Sequence, residues 1–529
     1  MQFNLIDQKW IPVKRRDGTA EDIAPWELTS GFTENPVLSL NAPRPDFNGA
    51  LIQFLIGLMQ TLTPPISRTE WKQKLANPPG PGELESKFAV ARHAFELGGR
   101  GPKFMQDIED IESEPGPIHR LFIDSPGENT LKNNADLFVK RSHTASICPS
   151  CAAMALLTMQ INAPSGGQGY RTSLRGGGPL TTLVLGDGKL DTLWHIVWLN
   201  LIEKAKFLDL CDGAKTSPSD QFPWLARTKP KTTAMDIHPA QLFWAMPRRI
   251  RLNFDDLSSG VCTVCSRQSD LLISRYREKN KGTEYVAPVK HPLSPYDARK
   301  GKAVLGKRGG VHYRHWLGLV ISDPGVGIEP AAVVHEFIEG GRLQHDCQFR
   351  IWAFGYDMDN MKARGWHEAR MPLIEAAPHV KGEYEPHVFS MVKAADQVAK
   401  NLRDAVKRAW FRRPGDVKQG VAFLDRAFWQ NTEHAFYGSL HSLKTALESG
   451  GSVLSAAEEW LSSLCGGALA LFDVHAWNGP IEDADPKRVV IARNDMDKFN
   501  RGKKIKEMLG LPVQKQSKAR TDKRKGPAD

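Results

Sequence analysis

Val388, Met391, Val392, Ala395, Val398, Leu402, Val406 and Ala409 recur mostly at spacings of three and four. That period gathers apolar side chains on one face of an α-helix. It predicts one long amphipathic helix, stopped at Arg413-Pro414-Gly415, because proline lacks the N–H that would continue the ladder. Three more helical stretches follow, around Val421 to Leu447, Val453 to Leu471 and Arg488 to Leu509, separated by short breaks containing glycine or proline. Helices joined this closely pack antiparallel, so a four-helix bundle is expected over 381–511.

Upstream of about residue 375 the pattern is mixed. Ala50 to Leu62 and Leu193 to Ala205 have helical spacing, whereas the short apolar runs Thr181 to Leu185 and Trp316 to Ile321 read as strands. The runs do not alternate as βαβ units would. The expected fold is therefore α+β over 1–380, with the boundary where Ala377-Pro378 and Lys381-Gly382 interrupt the pattern. No fixed-period repeat is visible.

Composition narrows the function classes. The chain has 529 residues, 41% hydrophobic and 25% charged, which suits a folded protein with a sizeable core. Its net charge of +10 is uneven: residues 501–529 hold ten basic and three acidic side chains, leaving only +3 for the rest. A polyanion-binding surface must therefore be local. The segment 512–529, rich in charge and without aromatics, is expected to be a solvated flexible tail. Ala50 to Leu62 is too short to span a bilayer and contains Gln53 and Gln60, and Met1 to Asp7 has no signal-peptide character, so a cytoplasmic location is expected.

The chemistry-bearing residues start with cysteine. Cys148-Pro149-Ser150-Cys151 and Cys262-Thr263-Val264-Cys265 supply four thiols, the donor set of a closed tetrahedral structural zinc site. The 110 residues between the pairs would make that ion a clip between distant segments. The alternative is two unrelated pairs, one of them redox active. A nucleobase deaminase would need His-x-Glu before Pro-Cys-x-x-Cys; here Ala145 stands two after His143 and Pro149 lies inside the cysteine pair.

Ala163-Pro164-Ser165-Gly166-Gly167-Gln168-Gly169 follows, a segment whose missing Cβ atoms permit close approach of a phosphate, a base edge or another backbone. It lacks the Gly-Lys-Ser/Thr of a nucleotide-binding P-loop. Basic residues cluster at Arg299, Lys300, Lys302, Lys307 and Arg308, and again at Lys400, Arg403, Lys407, Arg408, Arg412 and Arg413. Such groups suit phosphate backbones, although a merely solvated helix face is the better reading of the second set. His345-Asp346 is the dipeptide of metal-dependent phosphohydrolases and supplies an enzymatic alternative; His335-Glu336 and His367-Glu368 lack the second histidine of a zinc protease.

Several strings together resemble one family. Asn4-Leu5-Ile6-Asp7 through Trp10-Ile11-Pro12-Val13, the paired CxxC motifs, Ala163-Pro164 with its glycine loop, Met246-Pro247-Arg248-Arg249-Ile250, His291-Pro292-Leu293-Ser294-Pro295 and Gly355-Tyr356-Asp357-Met358-Asp359-Asn360-Met361-Lys362 resemble the CasA-type large subunit of the type I-E CRISPR surveillance complex, Cascade. The resemblance implies a non-catalytic subunit. Its role would be to recognise the protospacer-adjacent motif in duplex DNA, help open the strands and recruit a separate nuclease-helicase, alongside guide RNA and the other Cascade subunits. It places motif reading on Ser165, Gly166, Gly167, Gln168 and Gly169, a lysine finger on Lys279 or Lys281, and a strand-separating wedge on Asp359, Asn360 and Met361. Minor-groove readers use such loops and wedges. It further implies that Phe138, Val139 and Lys140 contact the guide, and that Lys400, Arg403 and Lys407 lie along the displaced strand.

Overall fold

Helix Pro45–Leu62 is apolar on nearly every side, so it can only sit inside a core, and its two glutamines must find partners there. Gln53 Nε2 donates to the Gly49 carbonyl at 2.7 Å, and Gln60 grips the Ile202 carbonyl and N–H at 2.9 and 2.8 Å. Phe95, Phe104 and Trp244 pack on Phe54 of this helix and Trp224 packs on those three, mostly edge to face, with centroids 5.2 to 6.4 Å apart. The structure, a computed structural model, describes residues 2–136, 139–140, 143–211, 218–342, 347–359, 362–416, 421–479 and 485–513. The chain divides into two compact units, Met1–Leu373 and Ile374–Asp529.

In the first unit, strand Ile11–Arg15 lies between Ala20–Ile23 and Val37–Leu40, all antiparallel. The predicted strand forms as Thr181–Gly186, buried throughout, and pairs antiparallel with Phe349–Asp359, which continues as a hairpin into Lys362–Pro372. Strand Arg275–Lys279 is flanked by Arg249–Leu252 and Gly116–Pro117, and Ser258–Val261 pairs with Gln268–Leu272.

Two local expectations change. Trp316–Ile321 is a turn: the Trp316 indole donates to the Pro372 carbonyl at 2.9 Å, and Gly318, at φ +85°, closes onto Ile321. The predicted helix over Leu193 to Ala205 divides into Leu193–Leu199 and Lys204–Leu208. Asn200 causes the break, since its side chain holds both the N–H and the carbonyl of Val184 at 2.8 Å, tying the chain to the neighbouring strand.

The second unit consists of helices Lys381–Trp410, Ala422–Glu448, Leu454–His475 and Pro486–Asn500, with a short extension Lys503–Met508 beyond Arg501-Gly502. The first helix packs on the other three, burying Val388, Val398, Leu402 and Val406 completely. Trp460 is fully buried and donates its indole N–H to the Met391 carbonyl at 3.0 Å. The α+β region followed by packed helices agrees with the pattern in the sequence. Among the described residues, no helix is long and apolar enough to cross a membrane.

Candidate cysteine centre and nucleic-acid interface

Cys148 is the N-cap of helix Pro149–Asn162, whose first position is a proline preset for helical φ, and this places Cys151 on the first turn. Cys262 and Cys265 lie on the turn between Ser258–Val261 and Gln268–Leu272. That turn is closed by Ser266, at φ +58°, donating to the Cys262 carbonyl at 2.9 Å. The two segments are joined by backbone as well: Ile147 and Ile273 exchange hydrogen bonds of 3.0 and 2.8 Å, and Thr263 donates its N–H and hydroxyl to the Ser146 carbonyl at 3.0 and 2.7 Å.

All four sulfurs lie within 4.8 Å of one another, and Cys148 Sγ stands 3.8 Å from Cys265 Sγ. Four sulfurs each about 2.3 Å from one tetrahedral ion would stand about 3.8 Å apart, so the cluster has the size of a metal site. None of the four is in a disulfide. Hydrogen bonds from neighbouring thiols pull Cys262 down from the ordinary thiol range and Cys265 down to about 7, while the same neighbours and burial push Cys151 up. The fold favours some thiolates, and complete ionisation needs a cation at the centre. Among the described residues this is the only group of three or more histidine, cysteine or acidic side chains so arranged.

The helix that begins at Cys148 ends directly before the glycine loop. Ser165, Gly166, Gly167 and Gln168 are exposed, and the loop is closed at its base by the Ser173 N–H on the Ala163 carbonyl at 3.0 Å. Arg248, which is buried, reaches in beneath it, donating to the Pro164 carbonyl and placing its guanidinium 5.0 Å from the centre of the Tyr170 ring. Its backbone is held in turn by Gln160, at 3.0 Å in both directions. In the sequence Arg248 stands only within the string Met246 to Ile250; its place beneath the loop depends on tertiary contact with Pro164, 84 residues away.

Both candidate lysines are exposed, and Lys281 is the one tied to the loop: its N–H donates to the Gly169 carbonyl at 2.7 Å. Lys279 ends strand Arg275–Lys279 on the near side of the same turn. The hairpin of Phe349–Asp359 and Lys362–Pro372, which bears the residues expected to form a wedge, meets the chain after the loop at Gly178. Gly178, at φ +64°, packs against Tyr356 and Met358, and the Gly306 N–H donates to the Gly178 carbonyl at 2.9 Å. Arg364 pairs with Asp357 at 2.6 Å and with Asp359 at 3.0 Å, tying down the strand ends. Asp359 is exposed there, while Asn360 and Met361 lie outside the described residues.

Of the segment expected to contact the guide, Val139 is half-buried, Lys140 is exposed and Phe138 lies outside the described residues. Lys400 is exposed on helix Lys381–Trp410, Arg403 is paired with Asp425, and Lys407 is half-buried. His345, Asp346 and the tail from residue 514 onward lie outside the described residues.

The model of a family described as CRISPR-associated protein Cse1 matches residues 4–471. The chain is similar in structure to Cse1 of Thermobifida fusca, with 18% identity, a TM-score of 0.68, and coverage of 96% of this chain and 98% of that one. It is also similar to CasA (Cse1) of Thermus thermophilus, with 18% identity, a TM-score of 0.66, and coverage of 94% and 100%. A chain of a structure described as a CRISPR RNA-guided surveillance complex matches at 14% identity and a TM-score of 0.67, over 95% of this chain and 100% of that one. At these identities the structures establish the fold. The family model spans most of the sequence, and this chain belongs to the CRISPR-associated protein Cse1 family.

Proposed function

We propose that this chain is the non-catalytic, CasA-type large subunit of a type I-E Cascade complex, binding beside guide RNA and the other subunits. In this reading it recognises the protospacer-adjacent motif, helps open the target duplex for R-loop formation and recruits the effector nuclease-helicase. Its similarity to a chain from an RNA-guided surveillance complex supports the assembly. The observation that carries the DNA-reading role is the hydrogen bond from Lys281 to Gly169, which makes the exposed glycine loop and the exposed lysine turn one surface. A backbone-lined loop backed by cations suits a groove with a degenerate donor and acceptor code. Zinc is the metal proposed for the four cysteines, because closed all-thiolate tetrahedral sites suit it and leave no open position for catalysis.

In this reading Ser165 through Gly169 meet base edges, Lys281 or Lys279 the adjacent duplex, and Asp359, Asn360 and Met361 the first base step to open. Phe138, Val139 and Lys140 contact the guide, and Lys400, Arg403 and Lys407 the displaced strand. The overall test is purification of the chain with its complex, sequencing of bound RNA and a motif-library binding assay. Absence of RNA, or equal binding to every flanking motif, contradicts the assignment.

Two substitutions resolve the parts. Asn360→Ala with Met361→Ala is expected to slow R-loop formation at a cognate target while leaving assembly with guide RNA intact, since wedge insertion offsets an unstacking cost of a few kcal/mol per step. Permanganate footprinting and native electrophoresis read the two effects; equal loss of both counts against the wedge. Lys281→Ala is expected to lower the slope of log affinity against log salt by about 0.9 without moving the melting temperature, the signature of one lost phosphate contact. An unchanged slope with a reduced one for Lys279→Ala would transfer the role to Lys279.

A further inference from the structure

Among the described residues, no carboxylate meets the charge of Arg175. It is 6% exposed, in the run that follows the glycine loop. Its Nη1 donates to Thr181 Oγ1 and Ser294 Oγ, each at 3.0 Å, and its Nη2 to Gln53 Oε1. All three acceptors are neutral, and a guanidinium has five N–H donors to place. Burial pushes its ionisation down to about 9, so it remains charged at neutral pH. A buried charge without a counterion is costly.

A cavity of about 20 Å³ is lined in part by Arg175. That is room for one water-sized occupant. Its polar lining is Gln53, Gln160, Ser173, Arg175 and His291, with no acidic residue, and Leu242, Phe243 and Ala245 form an apolar wall. The neutral groups are already engaged. Gln160 bonds Met105 and Arg248, Ser173 donates to the Gly176 carbonyl at 2.6 Å, and His291 Nδ1 accepts from the Leu293 N–H at 3.1 Å. His291 is held well below its usual range by burial and by Arg175, so it adds no titrating charge. An occupant therefore meets positive charge and an apolar wall, which repels a cation and favours an anion over water.

We propose that this cavity binds one small monovalent anion of halide size, held by the Arg175 guanidinium. Ile161, Ser173 and Leu174 line the same cavity, and Ser173 closes the base of the glycine loop on Ala163, so the anion also braces that base. The site does not depend on the proposed DNA-reading role.

Crystals of the full chain grown in bromide are expected to show one anomalous peak in the cavity. In solution, the melting temperature is expected to rise with chloride to a plateau, at ionic strength held constant with gluconate, as for one saturable site. Arg175→Gln should flatten that dependence. Should this variant fail to fold, the native protein decides alone: no bromide peak together with identical melts in chloride and gluconate overturns the proposal. A peak without any chloride dependence in solution means binding at crystal concentration only, and overturns it equally.

Discussion

Elemental analysis of the purified chain is expected to return one zinc per molecule, and its removal by a strong chelator to lower the melting temperature by many degrees. The cluster joins segments 110 residues apart, and the sulfurs face one another within 4.8 Å. Without the cation, thiols must reprotonate to relieve repulsion, and the closure entropy returns to the chain. Isolated zinc-finger peptides gain about 10–16 kcal/mol from such sites. Here the buried helix Pro45–Leu62 supplies a core of its own, so a smaller loss, on the order of 5 kcal/mol, is expected, concentrated where Ile147 meets Ile273. Hydrogen exchange should report it as early opening of 143–167 and 258–273. Protons compete for thiolates, so metal retention should fall as pH falls. Cys262→Ala should reproduce the chelated state; a metal-free chain with an unchanged melt after chelation contradicts the structural role.

Gly282→Ala is expected to have the second-largest effect, although glycine to alanine is nominally a small change. A Cβ at this position would lie 2.0 Å from the Pro247 carbonyl oxygen and 2.7 Å from its carbon. Backbone cannot rotate away as a flexible side chain can, so the turn bearing Lys281 must lift from Pro247 and Arg248, which lead into strand Arg249–Leu252. The cost expected is about 3 kcal/mol, at the upper end of overpacking. Because Lys281 is bonded to Gly169, motif discrimination should fall along with stability. Gly382→Ala, where nothing lies within 4 Å and the backbone is helical, is the control: it should leave discrimination unchanged and not lower the melting temperature. Equal melts and equal discrimination for the two variants would mean that the glycine loop and lysine turn are not held by this close approach.

Much of the layout was legible because it rests on local patterning. The three-and-four spacing from Val388 to Ala409 reports a helix with one buried face, and the helix runs from Lys381 to Trp410. Paired cysteines two residues apart likewise announce a shared chemistry, and the sulfurs converge. The misreadings came from contacts that periodicity does not carry. Asn200 breaks a helical pattern by bonding a strand 16 residues away, and Trp316 turns an apolar run into a bend by donating to Pro372. Arg403 reads as a free cation on a helix face until Asp425, on the next helix, is seen to pair with it.

From the chain alone one could derive most of its element types, a candidate thiol set for one ion, the glycine-rich approach and the family likeness, since each is written in neighbouring residues or in local spacing. The fold alone decided which lysine joins the loop, that Arg248 supports it from beneath, and that Arg175 is buried among neutral oxygens beside a cavity. These depend on distances between segments up to 122 residues apart. Close packing, with no local signature in either partner, sets those distances.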